Sequence, residues 1–236
     1  ESKGITKKYT NSNEAYQLYL KGRYSFAKRT KPDMQKAIEY FEQAIDIDPN
    51  FALGYARISE TYGSMPAYPY LLPNEAFPKA KAAAQKALEI DPTLSEAHTF
   101  LAYSLAIYDW NWAEAEREFK RAIELEPNNA AAHFRYGQIY LGSVGRIDEA
   151  TTEMKKGLDG EPLDINMGVS VAWSYLAAQR NQQALEQARK TYELEPTHPL
   201  ARWMLGQAYL ANEKYAEAIA VDEQWLQTDP TNQFAL

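Results

Sequence analysis

An all-α chain made of about six antiparallel helix pairs, stacked end to end as a right-handed solenoid, is predicted by three recurrences in these 236 residues. The first is proline at Pro49, Pro92, Pro127, Pro162, Pro196 and Pro230, with gaps of 43, 35, 35, 34 and 34 residues. The second is an alanine twelve positions before every one of them: Ala37, Ala80, Ala115, Ala150, Ala184 and Ala218. The third is a large residue, then a small one, then an aromatic, as in Tyr136, Gly137, Tyr140 and Leu205, Gly206, Tyr209. A fixed helical period near 34 residues marks units that cannot bury their apolar faces alone and do so against their neighbours.

The second helix of each unit follows from spacing. Ala115, Phe119 and Ala122 fall at i, i+4 and i+7, one face of a helix, and the face returns as Ala37, Phe41, Ala44 and Ala80, Ala84, Ala87. Small side chains there let neighbouring helices approach closely. Proline then ends the helix, since it has no N–H and clashes with the preceding turn. The residue after each proline is Asn50, Thr93, Asn128, Leu163, Thr197 or Thr231, five of them good N-caps worth about 1 kcal/mol each. Thr93 with Glu96 reads as a capping box, and Asp164 as the substitute where Leu163 fails. The residue before each proline is acidic (Asp48, Asp91, Glu126, Glu161, Glu195, Asp229), the wrong sign for the helix it ends and the right sign for the one that follows.

The first helix carries the large–small–aromatic triplet on its inner face, also seen as Val171, Ala172, Tyr175 and Ile58, Ser59, Tyr62. The recurring Leu-Gly-x-x-Tyr, Ala-x-x-x-Phe-x-x-Ala, Pro pattern resembles the tetratricopeptide repeat. Six copies cover nearly the whole chain, at about residues 14–49, 52–92, 95–127, 130–162, 165–196 and 199–230 of a single array. The runs YQLYLKGRY (16–24) and DWNWAEAEREF (109–119) look like tetratricopeptide regions of bacterial multidomain signalling chains. With Glu1 in place of methionine, the expectation is a piece of a larger, cytoplasmic bacterial chain.

Two units depart from the pattern. In the first, Gly22 lies one place late and Tyr24 lies 13 residues before Ala37, so the turn at 28–33 is expected to be about four residues longer than usual. In the second, nine extra residues separate Tyr62 from Ala80 and include Met65, Tyr68, Tyr70 and Leu71. Asn74 reads as the next N-cap, with Pro78 in the first turn. An apolar insert at about 64–73 is either a partner-docking loop or a loop folded on its own repeat; the second is favoured, because large exposed apolar patches are rare. The last unit carries Asp222 and Trp225 where aromatic and small residues are usual, and only residues 231–236 follow. Its final face is expected to be exposed or covered by a second copy.

Composition narrows the function. The net charge of −7 divides into +6 over residues 1–36 and −13 over the rest. A basic end suits nucleic acid or an acidic partner, but the acidic whole argues for a solvated first helix pair and no nucleic acid. There are no cysteines, no apolar run near membrane-spanning length, no phosphate loop and no nucleophile elbow. His98, His133 and His198 have no companions at metal spacing and read as packing residues, so neither metal nor cofactor is expected. Acids at i, i+4 from Lys (Glu116–Lys120, Glu186–Lys190) read as surface support.

The resemblance implies a non-catalytic protein- or peptide-binding scaffold, with the first helices lining a concave face. Counted onto this chain, the facing positions are Arg57, Glu60, Thr99, Phe100, Tyr103, Phe134, Arg135, Gln138, Trp173, Trp203 and Gln207. Aromatic and arginine anchors are typical of interaction hot spots. Aromatics at helical spacing are as often core, which leaves Arg57 and Arg135 the firmer choices. The family's Lys/Asn/Arg carboxylate clamp lacks its Lys-Asn pair here, so an extended or helical segment with apolar side chains is expected as ligand. The alternative is a spacer or self-association module whose groove is filled by its own insert or by a second copy through the uncapped last repeat. A small-molecule pocket is less favoured and an enzyme least.

Overall fold

The structure, a computed structural model, describes residues 10–228. The expectations placed on Asp229, Pro230 and Thr231, and on the segment after them, lie outside the described residues. Twelve α-helices run in order: α1 (Asn13–Ala27), α2 (Lys31–Ile47), α3 (Ala52–Ser64), α4 (Pro73–Ile90), α5 (Ser95–Ile107), α6 (Trp112–Leu125), α7 (Ala130–Arg135), α8 (Ile147–Gly160), α9 (Ile165–Ala177), α10 (Asn181–Leu194), α11 (Pro199–Ala211) and α12 (Tyr215–Thr228). α7 continues into a π-helical stretch, Tyr136–Leu141. No strand occurs among the described residues, and none of their helices is long and apolar enough to cross a membrane. The fold class is the all-α solenoid of helix pairs that the period predicts.

The chain forms two compact units, one up to Ala132 and one from His133. In the first, α1 packs on α2, α3 on α4 and α5 on α6, and α3 also contacts α5. Ala37, Ala44, Ala80, Ala84 and Ala87 are fully buried, and Phe41 and Phe51 sit among them. In the second, α9 pairs with α10 and α11 with α12, while α9 also contacts α11. Its cores gather Met154, Met167 and Val171 on one side and Leu185, Met204 and Leu205 on the other. Each alanine stripe thus does what its spacing predicts, giving helices a smooth face for close approach.

The prolines act within a turn. The amide two residues beyond Pro49, Pro92, Pro127, Pro162 and Pro196 donates to the carbonyl one residue before it, at 2.9–3.1 Å. That places proline second in a four-residue turn, where its fixed φ is preformed. The acidic residue opens the turn. Asp48 Oδ1 accepts the Asn50 amide at 3.1 Å and Asp91 Oδ1 the Thr93 amide at 2.9 Å. Three caps fall one residue later than expected, at Phe51, Leu94 and His198. Asn50, Thr93 and Thr197 do not cap, and the Thr93–Glu96 box is not formed, because Thr93 is spent inside the turn. Phe51 and Leu94 instead bury in the core. Asp164 caps α9 as expected, accepting the Met167 amide at 2.9 Å. Asn129, not Asn128, accepts from the α7 amide of Ala132 at 3.0 Å, and its own amide donates to Ser95 Oγ at 2.8 Å.

Three further differences from the sequence reading are local. The turn between α1 and α2 is short, and the extra residues belong to α2, whose 17 residues compare with 14 in α6, α8, α10 and α12. α4 begins at Pro73, so Asn74 is not its cap and Pro78 lies inside the helix; proline suits that first position because its missing N–H would have no partner there. The insert forms a 3₁₀ turn, Met65–Ala67, and folds onto its own unit. Tyr68, Tyr70 and Leu71 pack on the core, and the Tyr70 hydroxyl donates to the Arg29 carbonyl at 3.0 Å.

Candidate binding surface on the first helices

In the first unit the candidate positions lie on α3 and α5. Arg57 and Glu60 stand one turn apart and form an ion pair at 2.8 Å, their side chains 20% and 10% exposed. Burial is the largest influence and works against the Arg57 charge, but Glu60, Tyr19 and Glu96 together outweigh it and hold the guanidinium above its ordinary value. Arg57 Nε is buried with no hydrogen-bond partner among the described residues. Thr99 and Phe100 do not face a ligand: both are fully buried, Thr99 donating to the Ser95 carbonyl at 2.9 Å and Phe100 filling the core. Tyr103 is half-buried, its ring 5.9 Å from Phe77.

In the second unit the same surface is more open. Phe134 is the exception, since it joins Met154, Met167 and Val171 in the core. Arg135 is half-buried. Gln138 is exposed and donates through Nε2 to Ser170 Oγ at 3.3 Å, linking the π-helical stretch to α9. Trp173 on α9 is 51% exposed. It stacks on Trp203 of α11 with ring centroids 5.5 Å apart and planes at 25°. Gln207, one turn beyond Trp203, is half-buried. The π-helical stretch accommodates an i to i+5 bond, Gly142 N–H to the Gly137 carbonyl at 2.9 Å, and stacks Tyr136 on Tyr140 at 5.7 Å. Such stretches recur at functional sites because they re-aim side chains along a helix.

Two histidine–glutamate contacts join paired helices. His98 Nδ1 lies 2.5 Å from Glu118 Oε2, and His133 Nδ1 lies 2.5 Å from Glu153 Oε2. Each ties the first helix of a pair to its second, and the signal available was the shared 20-residue separation. The expected surface pairs Glu116–Lys120 and Glu186–Lys190 are present at 2.8 and 2.7 Å. Among the described residues no three His, Cys, Asp or Glu side chains gather as a metal site.

Repeated helix pairs with partly exposed aromatic and amide side chains on their first helices define a repeat protein built for contact with other chains. The chain belongs to the tetratricopeptide-repeat family: descriptions of that repeat match residues 23–51, 110–167 and 172–233, together more than half of it. The family is in general a non-catalytic protein-interaction scaffold, and the repeats support a protein-interaction scaffold in general here. It is similar to Transcriptional regulator HilA of Salmonella typhimurium, 27% identical over 163 residues, 69% of this chain and 29% of that protein. It is also similar to Protein O-mannosyl-transferase TMTC3 of Homo sapiens, 26% identical over 203 residues, 84% of this chain and 21% of that protein. The chain therefore spans less than a third of the length of either relative. The crystal structure of YrrB, described as a TPR protein with an unusual peptide-binding site, matches with a TM-score of 0.56 at 19% identity, covering 83% of this chain and 95% of that one. That likeness shows the fold.

Proposed function

We propose that this chain is a non-catalytic scaffold module, part of a larger bacterial protein, that holds an extended or helical peptide segment on the first-helix face of its second unit. The observation that carries the reading is the stacked Trp173–Trp203 pair, with Trp173 half exposed. Large aromatic rings left at a surface are the commonest anchors of protein interfaces. Gln138 and Gln207 offer amides beside them for a peptide backbone. The relation to a bacterial regulator supports the source, and the peptide-binding site ascribed to YrrB supports a peptide as ligand. The transferase relative shares only a fifth of its length with this chain. Tyr70 of the insert is engaged at the α1–α2 turn, which favours a face left for a partner over a self-filled one.

A peptide-display selection on the wild-type chain, followed by affinity measurements on Trp173→Ala and Trp203→Ala, tests this. Loss of an anchor of this kind costs about 2 kcal/mol or more, roughly thirtyfold in affinity. Selected peptides that bind both variants within about twofold of wild type would exclude the surface. The self-association alternative rests on α12, where Tyr215 and Ile219 are 60% and 57% exposed. A solution mass that rises with concentration, and stays monomeric in Ile219→Lys, would support it.

A further inference from the structure

A second feature, independent of the tryptophan pair, lies in the first unit. An open cleft of about 330 Å³ separates α1 from α2, walled by Leu20, Lys21, Tyr24, Lys28, Lys36 and Tyr40. Three ammonium groups share it with one carboxylate, Asp33. That carboxylate is already engaged. Thr30 Oγ1 donates to it at 2.7 Å and Lys28 Nζ at 3.3 Å, and the Thr30 bond, followed by Lys28 and Lys36, holds it below its ordinary value. Lys21 and Lys36 form no ion pair among the described residues. Lys36 lies over the Tyr40 ring, 5.8 Å from its centroid, and Lys28, besides its bond to Asp33, lies over the Tyr24 ring at 4.9 Å. Rings hold ammonium groups weakly and leave their remaining N–H donors for an oxyanion.

We propose that this cleft recognises the oxyanion side chains, phosphoryl or clustered carboxylate, of an acidic protein segment. Charge complementarity selects the occupant. Between Asn13 and Lys36 the chain carries six basic and two acidic side chains, so the first helix pair is an island of positive charge on an acidic protein. The cleft lining is partly apolar. Leu20 and Tyr24 stand one turn apart on α1 and are 36% and 70% exposed. A ligand with an apolar body next to its charge, such as a phosphotyrosine or a glutamate beside an aromatic, fits both features. A long nucleic acid would run from the island onto residues carrying a net −13, where like charge repels it, whereas a short acidic segment stays within the island.

Three fluorescein-labelled peptides of one sequence test the inference: tyrosine flanked by glutamates, phosphotyrosine flanked by glutamates, and tyrosine flanked by glutamines. Each is titrated by fluorescence anisotropy against the wild-type chain, Lys21→Gln/Lys36→Gln and Tyr24→Ala. All three substituted positions are exposed, and unchanged thermal midpoints check that the variants fold. The acidic peptides are expected to bind and weaken as salt rises. The double lysine variant is expected to lose at least tenfold in affinity. The tighter of the two acidic forms identifies the oxyanion. Equal binding of the glutamine peptide, or no loss in the lysine variant, would overturn the assignment. Displacement by inorganic phosphate alone at the peptide's own concentration would make it a small-anion site. Displacement by a single-stranded oligonucleotide below that concentration would make it a nucleic-acid site.

Discussion

His98 illustrates how much one side chain can carry. Both ring nitrogens face acceptors, Nδ1 the Glu118 carboxylate and Nε2 the Pro92 carbonyl at 3.0 Å, so both must bear protons for the contacts to form. Burial pushes the group down, but those two acceptors outweigh it and raise its pKa above the ordinary 6.5, against a smaller opposing effect of Arg121. A raised folded pKa stabilises the native state fully below the unfolded value and loses that contribution as pH climbs through the folded one. Unfolding free energy is therefore expected to decline as pH rises above the ordinary 6.5, with a shallower decline in Glu118→Gln. An NMR titration in which His98 ionises below 6.5 would contradict this. Gly137 is the other decisive residue. A Cβ there would sit 2.6 Å from the Ala150 carbonyl oxygen and 2.9 Å from the Met154 amide. Helix propensity alone favours Gly137→Ala by about 1 kcal/mol, but backbone atoms cannot yield as a side chain would, and overpacking costs about 1–3 kcal/mol. Urea denaturation is expected to show net destabilisation.

At the scale of elements, the turns within five of the six pairs share a recurrence of their own. Arg29, Trp110, Gln179 and Glu213 adopt φ of 55–59°, and Gly145 takes φ 78° at the equivalent place. The amide after each of the last three reaches back five residues, as Arg180 to the Tyr175 carbonyl at 2.8 Å, closing the helix in a Schellman-type turn. A non-glycine residue pays about 1–2 kcal/mol for that conformation, more than the chain entropy glycine adds. Gln179→Gly is thus expected to stabilise the second unit by about 0.5–1 kcal/mol, read as a raised urea midpoint. These turns also mark the limit of sequence reading. The alanine stripes and proline beats were legible because burial and the turn each demand one residue type. The left-handed position was not, because four different residues fill it. The length of the α1–α2 turn is not legible in the 13 residues between Tyr24 and Ala37, because three added residues at the start of α2 give the same spacing as added turn. Thr99, Phe100 and Phe134 were assigned outward because helical spacing fixes a face to within one residue, and one residue is about 100° of rotation. The insert was legible in its preference for burial, and Tyr70→Phe should lower stability by about 1 kcal/mol through loss of its bond to the Arg29 carbonyl.

For the molecule as a whole, each unit presents a different chemistry: a cationic, tyrosine-walled cleft in the first and a neutral tryptophan shelf in the second. A scaffold gains from such separation, since one partner with two segments, or two partners, are read by different forces and respond differently to salt. The shelf is the central claim, and indole N–H signals of the five tryptophans in a ¹⁵N-correlation spectrum report on it directly. On adding a display-selected peptide, the account predicts shifts at Trp173 and Trp203 and none at Trp225, which is 3% exposed. Saturating peptide that leaves Trp173 and Trp203 unmoved would contradict it.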